Sequence, residues 1–268
     1  MVRPSLESYR AAVAGGPPYA PHVLAALRTD TRSGARSLYA ACVRHQERHD
    51  AEQLRLQRML EFEDEAHANG FARVAGVDEA GRGPLAGPIV AAAVVLSEPI
   101  AGLNDSKQLT EAQREELFTL LHRGDNAIAV TMIDPERIDL WGIQSANYAA
   151  MAGSVAKLDP IPEFLLVDGF QIKGCAVPQK SLVKGDSRSL SIAAASIVAK
   201  VVRDRTMMEL DRIYPEYGFA RHKGYGTADH IEAIRRHGPC PAHRKSFAPI
   251  SDLCETAALF EPLVEGMQ

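Results

Sequence analysis

Asp78 and Glu79 stand side by side in VDEAGRG (residues 77–83), immediately before a Gly81-Arg82-Gly83 turn. Adjacent carboxylates supply hard oxygen ligands for a divalent cation, and glycines let backbone come close to a substrate. Apolar runs flank the motif at 71–77 and 87–96. Neighbouring side chains on a strand point to opposite faces, so both acids meet one target only where the chain bends. The pair is therefore expected just past the end of a strand.

Two further acids fall at the ends of expected elements. Asp168 follows the apolar LLV in LLVDGF, and Asp186 lies in VKGDSRS ahead of a long helical stretch. Ligand sites in open α/β sheets lie at strand ends. Four carboxylates meeting there would repel one another unless cations neutralised them. Oxygen donors of this kind suit Mg²⁺ or Mn²⁺. Two such ions about 4 Å apart activate a water and stabilise the leaving oxygen of a phosphodiester. Each acid also has a plainer reading: Asp186 as a helix N-cap, Asp168-Gly169 as a turn pair, Asp78-Glu79 as a solvated strand end. Only their joint placement beside the Gly-Arg-Gly turn favours chemistry.

The elements that must position them are short apolar runs alternating with helical stretches. Strands are expected at 71–77, 87–96, 126–132, 164–167 and 175–183, and helices at 110–122, 144–158, 189–214 and 228–237. Thr110 and Gln113 form a capping-box pair. Ala193, Ala194, Ala195 and Ala199 give the longest helix a small face suited to a sheet. This order indicates a layered α/β domain over 71–268 with a mixed sheet and C-terminal helices. Residues 1–70 read differently: prolines 17, 18 and 21 interrupt the start, and 37–69 lack Pro and Gly and are rich in helix formers. A helical appendage ending at Gly70 is expected. Arg44, Arg48, Arg55 and Arg58 recur along it at near-helical spacing, which suits duplex contact or, more plainly, a solvated charged helix.

The net charge of −4 argues at first against a polyanion partner, but its distribution does not. Residues 71–170 carry 7 basic and 14 acidic side chains, whereas 171–250 carry 14 basic and 7 acidic. An acidic segment able to hold metal precedes a basic one able to hold nucleic acid. No apolar stretch approaches the roughly 20 residues of a membrane span, and the start lacks a signal-peptide core. Cys42, Cys175, Cys240 and Cys254 are scattered, so reduced thiols and a cytoplasmic location are expected. Gly81, Gly83 and Ala86 fit the dinucleotide fingerprint, yet it must open a helix, and IVAAAVVL here reads as a strand.

VAGVDEAGRGPLAGPIVAAAVVL closely resembles the opening block of bacterial type 2 ribonucleases H (ribonuclease HII). LNDSKQLT (103–110), LLVDGF (165–170), VKGDSRSLSIAAASIVAKVVRDR (183–205), YPEYGFARHKGYGT (214–227) and HRKSFAPI (243–250) extend the resemblance over roughly 71–250. It implies a ribonuclease H-like fold with a mixed five-stranded sheet. It also implies endonucleolytic cleavage of the RNA strand of RNA–DNA hybrids and of single ribonucleotides within duplex DNA. The products implied are 3′-hydroxyl and 5′-phosphate ends, in the service of ribonucleotide excision and primer removal. By this resemblance Asp78, Glu79, Asp168 and Asp186 are the metal-binding carboxylates. Gly81, Arg82 and Gly83 match the turn that contacts the 2′-hydroxyl, and Tyr225 matches the tyrosine at the RNA-to-DNA junction. The chemistry agrees, since telling RNA from DNA requires reading the 2′-OH. Lys184, Arg188 and Lys223 are suited to phosphates, which would make binding salt-dependent. A monomer using Mg²⁺ or Mn²⁺ is expected; His222, His230, His237 and His243 are not assigned as ligands. The competing readings are a hybrid-binding module without catalysis and a related nuclease acting on pure DNA.

Overall fold

The computed structural model describes residues 4–252, so Cys254 and the rest of the C-terminal stretch lie outside the described residues. The chain divides into two compact units, 1–58 and 59–268. In the first, helices α1 (Leu6–Val13), α2 (Pro21–Thr29) and α3 (Ser33–Met59) bury a small core of Tyr9, Leu27, Ala35 and Cys42. Pro21 opens α2 at its first position, where the missing N–H breaks no helical hydrogen bond. The helical run expected up to residue 69 is broken at Leu60. Its last part, α4 (Glu61–Ala68), belongs to the second unit, where Ala66 and Phe62 pack with Val74, Leu166 and Leu182.

The second unit is built on five strands: β1 (Val74–Ala80), β2 (Ile89–Val95), β3 (Ala127–Ile133), β4 (Phe164–Asp168) and β5 (Gln179–Leu182). Their order is β3-β2-β1-β4-β5, with β1 antiparallel to β2 and parallel to β4. Helices α5 (Glu111–Arg123), α6 (Pro135–Trp141), α7 (Ile143–Ala156), α8 (Leu190–Ile213), α9 (Phe219–His222) and α10 (Ala228–His237) complete it. The Thr110–Gln113 capping box forms as its sequence requires. The strand after Pro84 is real, so the glycines do not open a dinucleotide-binding helix.

Two helices sandwich the centre of the sheet. Ala75 and Val77 of β1 join Ala146, Ala150 and Met151 of α7 in one core, while Val74 packs with Ile192 of α8 on the opposite face. Alternation along β1 thus sends odd-numbered residues toward α7 and even-numbered ones toward α8. Close approach to α8 is possible because position 76 is glycine: a Cβ there would lie 2.0 Å from the Ser191 carbonyl carbon. The alanine face of α8, fully buried, completes that contact.

Glu63 of α4 anchors the start of α8. Its Oε1 accepts from the Ser189 hydroxyl (2.6 Å), the Ser191 hydroxyl (2.7 Å) and the Ser191 N–H (2.9 Å). Ser189 is itself the N-cap of α8. A buried carboxylate at a helix N-terminus also meets the favourable end of the helix dipole. Glu63→Ala is expected to cost about 2 kcal/mol, the scale of charge-assisted hydrogen bonds lost from a buried site. Urea unfolding checks this; an unchanged midpoint would deny Glu63 the role.

Candidate active site

Asp78 and Glu79 lie within β1, opposite Ala92 and Ala91 of β2, and not past the strand's end. The expectation that they follow the strand is corrected, and the register shows how they still share one site. Pairing of β1 with β4 stops at Val77–Val167, which leaves Asp78 level with Asp168 while Glu79 and Ala80 overhang the end of β4. Asp168 is the last residue of β4, beside that overhang. The two β1 acids leave opposite faces, yet each can approach Asp168 across the open edge.

Each carboxylate is held by a different helix. Asp78, almost fully buried, accepts from the Ser196 hydroxyl of α8 and, at 2.7 Å, from the Glu79 N–H. Ser196 is in turn 2.9 Å from the Ser106 hydroxyl. Glu79 is held by Asn147 of α7 and by Arg82, whose Nη1 is 3.5 Å from Oε1. Asp168 Oδ1 accepts from the Gly185 N–H at 2.6 Å, which seats the Asp186 turn against the end of β4. Asp186 is buried in the short 3-10 turn Gly185–Ser187. It does not cap α8, a position Ser189 fills. Lys107 Nζ stands 3.7 Å from Asp186 Oδ2.

Electrostatics bind these acids into one group. Burial, then the charges of Glu79 and Asp168, pushes Asp78 well above the usual carboxylate range. Burial chiefly raises Glu79, with Arg82 opposing and Asp168 adding to the rise. Burial followed by Asp105 and Asp168 raises Asp186. Burial alone would lower Lys107, but Asp186, Asp105, Asp78 and Asp168 together hold it above its ordinary value. Four carboxylates thus face one ammonium group.

The unfolded chain ionises its acids near 3.8 for Asp and 4.5 for Glu, whereas the folded protein holds these protons to higher pH. Folding then takes up protons, so in chelator these groups destabilise the fold progressively as pH rises above that range, up to their raised values. Asp78→Asn is expected to gain stability relative to the unsubstituted protein over this window. Parallel melting curves from pH 4 to pH 8 would contradict it.

A cleft of about 340 Å³ opens beside the cluster, walled by Asp78, Glu79, the Gly81-Arg82-Gly83 turn, Lys107 and Tyr225. Asp168 and Asp186 are not on its wall. Tyr225 is half exposed, and its ring lies 3.9 Å from where a Cβ on Gly83 would be. Arg82 also donates to Gln144 Oε1 at 2.9 Å. Lys184 and Arg188 are exposed on either side of the Asp186 turn, Lys184 in the left-handed conformation (φ 55°). Lys223, likewise left-handed, is tied to the Ala220 carbonyl at 2.8 Å.

Sequence reasoning assigned no role to Lys107, Asp105, Ser106, Ser196 or Asn147. Three of them lie in LNDSKQLT, a polar loop whose acid and lysine look like solvated turn residues until the chain folds it beside Asp186. Among the histidines, His230 and His243 are buried and bonded Nε2 to Nε2 at 3.0 Å. Burial lowers each to about 4, so both are neutral at pH 7. Cys42, Cys175 and Cys240 are free thiols.

This sheet order, with carboxylates overhanging the parallel strand pair β1–β4, defines a nuclease fold of the ribonuclease H type. Solved structures of similar fold include the ribonuclease H2 of Pyrococcus horikoshii (TM-score 0.59, 28% identity, 69% of this chain and 98% of that one). Bst-RNase HIII in complex with Mn²⁺ is another (TM-score 0.58, 25% identity, 72% of each chain). Residues 75–250 match the family model for ribonuclease HII, and residues 17–67 match that for the ribonuclease HII N-terminal domain. The ribonuclease HII of Geobacillus thermodenitrificans is 52% identical over 228 residues, covering 84% of this chain and 88% of the relative. That of Geobacillus kaustophilus is 49% identical over 233 residues, covering 86% and 89%. The chain belongs to the ribonuclease HII family, and its chemistry is that of a ribonuclease H.

Proposed function

We propose that this ribonuclease H is a divalent-metal-dependent endonuclease that cuts the RNA strand of RNA–DNA hybrids and single ribonucleotides embedded in duplex DNA. The products are 3′-hydroxyl and 5′-phosphate ends, and the physiological setting is removal of RNA from DNA in the cytoplasm. The observation that carries the reading is a group of mutually repelling carboxylates, Asp78 and Asp186 buried and Glu79 and Asp168 half-buried, beside a glycine-rich turn. Asp78, Glu79, Asp168 and Asp186 would hold the metal, Mg²⁺ or Mn²⁺. The donor chemistry fits a hard cation: oxygen-only ligands whose charges lack full compensation inside the protein. Among the described residues no three acidic, histidine or cysteine side chains form a ready-made cage for one ion. When bound, a pair of such ions supplies an activated water and charge stabilisation for the leaving oxygen.

The remaining work falls to the chain. Ser196 and Asn147 hold Asp78 and Glu79 from opposite faces of β1, which fixes the two carboxylates before substrate arrives. The Gly81-Arg82-Gly83 turn offers backbone amides to a ribose 2′-hydroxyl, and Arg82 can exchange Gln144 for a phosphate. Tyr225 packs its ring on the adjoining sugar that lacks the hydroxyl. Lys184, Arg188 and Lys223 contact phosphates. Residues 1–58 act as a separate helical extension, and the enzyme works as a monomer.

Incubating an end-labelled RNA–DNA hybrid with the protein in Mg²⁺, Mn²⁺ or chelator tests the reading. Internal cuts that leave polymerase-extendable 3′ ends, and vanish in chelator, are expected. Cleavage that persists in chelator, or cyclic-phosphate ends, would overturn it.

A further inference from the structure

Two arginines are wholly buried, Arg203 (1% exposed) on α8 and Arg244 in the C-terminal loop, and for each the cost of burial outweighs the nearby charge of Asp204 or Asp139. Burying a cation that is only partly compensated is costly, so their hydrogen bonds must earn the position. Every one of those bonds goes to a backbone carbonyl, in the segment 81–88 or at Lys223. Arg244 donates to Gly81 O (2.6 Å), Arg82 O (3.0 Å) and Gly87 O (Nε 3.0 Å, Nη2 2.9 Å). Arg203 donates to Pro88 O (3.2 Å), Ala86 O (3.1 Å) and Lys223 O (3.0 Å).

These contacts dictate where the turn's amides point. In a trans peptide the C=O and the following N–H are antiparallel. With the carbonyls of Gly81 and Arg82 drawn inward to Arg244, the N–H groups of Arg82 and Gly83 are turned away from it. Neither N–H donates to a protein acceptor among the described residues. Successive outward amides form a concavity that takes an electron-rich oxygen. Gly81 is indispensable to this packing, since its φ is +97° and a Cβ there would lie 2.2 Å from Arg203 Nε.

Arg203 also joins two turns that are remote in sequence. One of its nitrogens, Nη2, serves both Ala86, after the Gly-Arg-Gly turn, and Lys223, two residues before Tyr225. The Leu85 N–H donates to Gly224 O at 2.8 Å beside it. A third support comes from the histidines. The Cys240 N–H donates to His243 Nδ1, which leaves the His243 Nε2–H to donate to His230 Nε2 and the His230 Nδ1–H to donate to Tyr225 O. A single set of tautomers satisfies the whole chain.

We propose that Arg203 and Arg244 are the specificity-determining positioning residues of this enzyme. Arg244 aims the amides of Arg82 and Gly83 at the ribose, and Arg203 keeps that turn in register with Tyr225. The proposal rests on the reading that the turn senses the 2′-hydroxyl and Tyr225 the neighbouring deoxyribose. Burial, with mutual repulsion between the two guanidinium groups, lowers Arg244 to about 9, still charged at pH 7.

The test compares kcat and KM of the full chain in Mg²⁺ on duplex DNA with one ribonucleotide and on a continuous RNA–DNA hybrid. For Arg203→Lys, kcat on the single-ribonucleotide duplex is expected to fall about ten- to a hundredfold, the scale of a misplacement near 1 Å. On the hybrid, which needs no deoxyribose contact, the loss should stay within about threefold, with KM little changed on either substrate. Arg244→Lys should lower kcat on both substrates while leaving affinity for all-DNA duplex intact. Equal losses of Arg203→Lys on the two substrates, or no loss, would overturn the coupling. Should that variant not fold, Gly224→Ala decides, because its Cβ would sit 2.5 Å from Ala86 O and wedge the turns apart with both arginines present. A selective loss there supports the proposal, and an even loss refutes it. Tyr225→Ala separates the two levels: if it leaves substrate preference unchanged, the sugar-sensing reading fails. If it abolishes the preference but Arg203→Lys does not, only the arginine proposal fails.

Discussion

Asp168→Asn is expected to lower hybrid cleavage by about a thousandfold or more, a change of several kcal/mol in the barrier. The charge of this side chain reaches the three other acids, raising Asp78, Glu79 and Asp186 alike. Asparagine keeps the shape and the Oδ1 that accepts from the Gly185 N–H, so the fold and the Asp186 turn should survive. It removes the charge that a cation would need. Hybrid affinity, measured in chelator, is expected to remain, because Lys184, Arg188 and Lys223 are untouched. The variant should melt no lower than the parent, since one like charge has left the cluster. Turnover near that of the unsubstituted protein would remove Asp168 from the site.

Gly76→Ala is expected to be the most damaging single methyl group in the second unit. The added Cβ would meet backbone, 2.0 Å from the Ser191 carbonyl carbon and 2.2 Å from the Ile192 nitrogen. Backbone within a helix cannot rotate away as a side-chain tip can, so α8 must be pushed off β1. A loss on the order of 3 kcal/mol or more is expected, at the upper end of overpacking costs. Urea unfolding gives the number. Because α8 also carries Ser196 to Asp78, cleavage should fall in the protein that still folds. A midpoint within experimental error of the parent would show that β1 and α8 are not packed as described.

Several of these features were legible in the residues themselves. The VDEAGRG, LLVDGF and VKGDSRS blocks mark four acids that the fold does gather around the end of β4. The alanine run of α8 announced close sheet packing, and Thr110 with Gln113 fixed a helix start. What sequence could not supply depends on partners distant in the chain. The acids lie inside β1, and their common edge exists only because β4 ends sooner than β1 does; strand length relative to a neighbour is not written in either strand. Pro21 looks like a breaker but opens a helix, because a proline's missing N–H is harmless at the first position. Asp186 resembles a cap, yet Ser189, three residues on, takes that place. Arg203 and Arg244 counted toward a basic, polyanion-facing segment, whereas the fold turns both inward onto carbonyls. An arginine's burial depends on which backbone groups need donors, and that is decided by tertiary packing.

In the proposed function the carboxylate cluster works beside a turn that reads the ribose hydroxyl. Cleavage of two otherwise identical DNA duplexes, one carrying a single ribonucleotide and one all-deoxy, tests it most directly when run with Mg²⁺ and again with chelator. A cut at the ribonucleotide is expected in the presence of the ion only, with the all-DNA duplex left intact. Comparable cutting of the all-DNA duplex, or ribonucleotide cleavage unaffected by chelator, would contradict it.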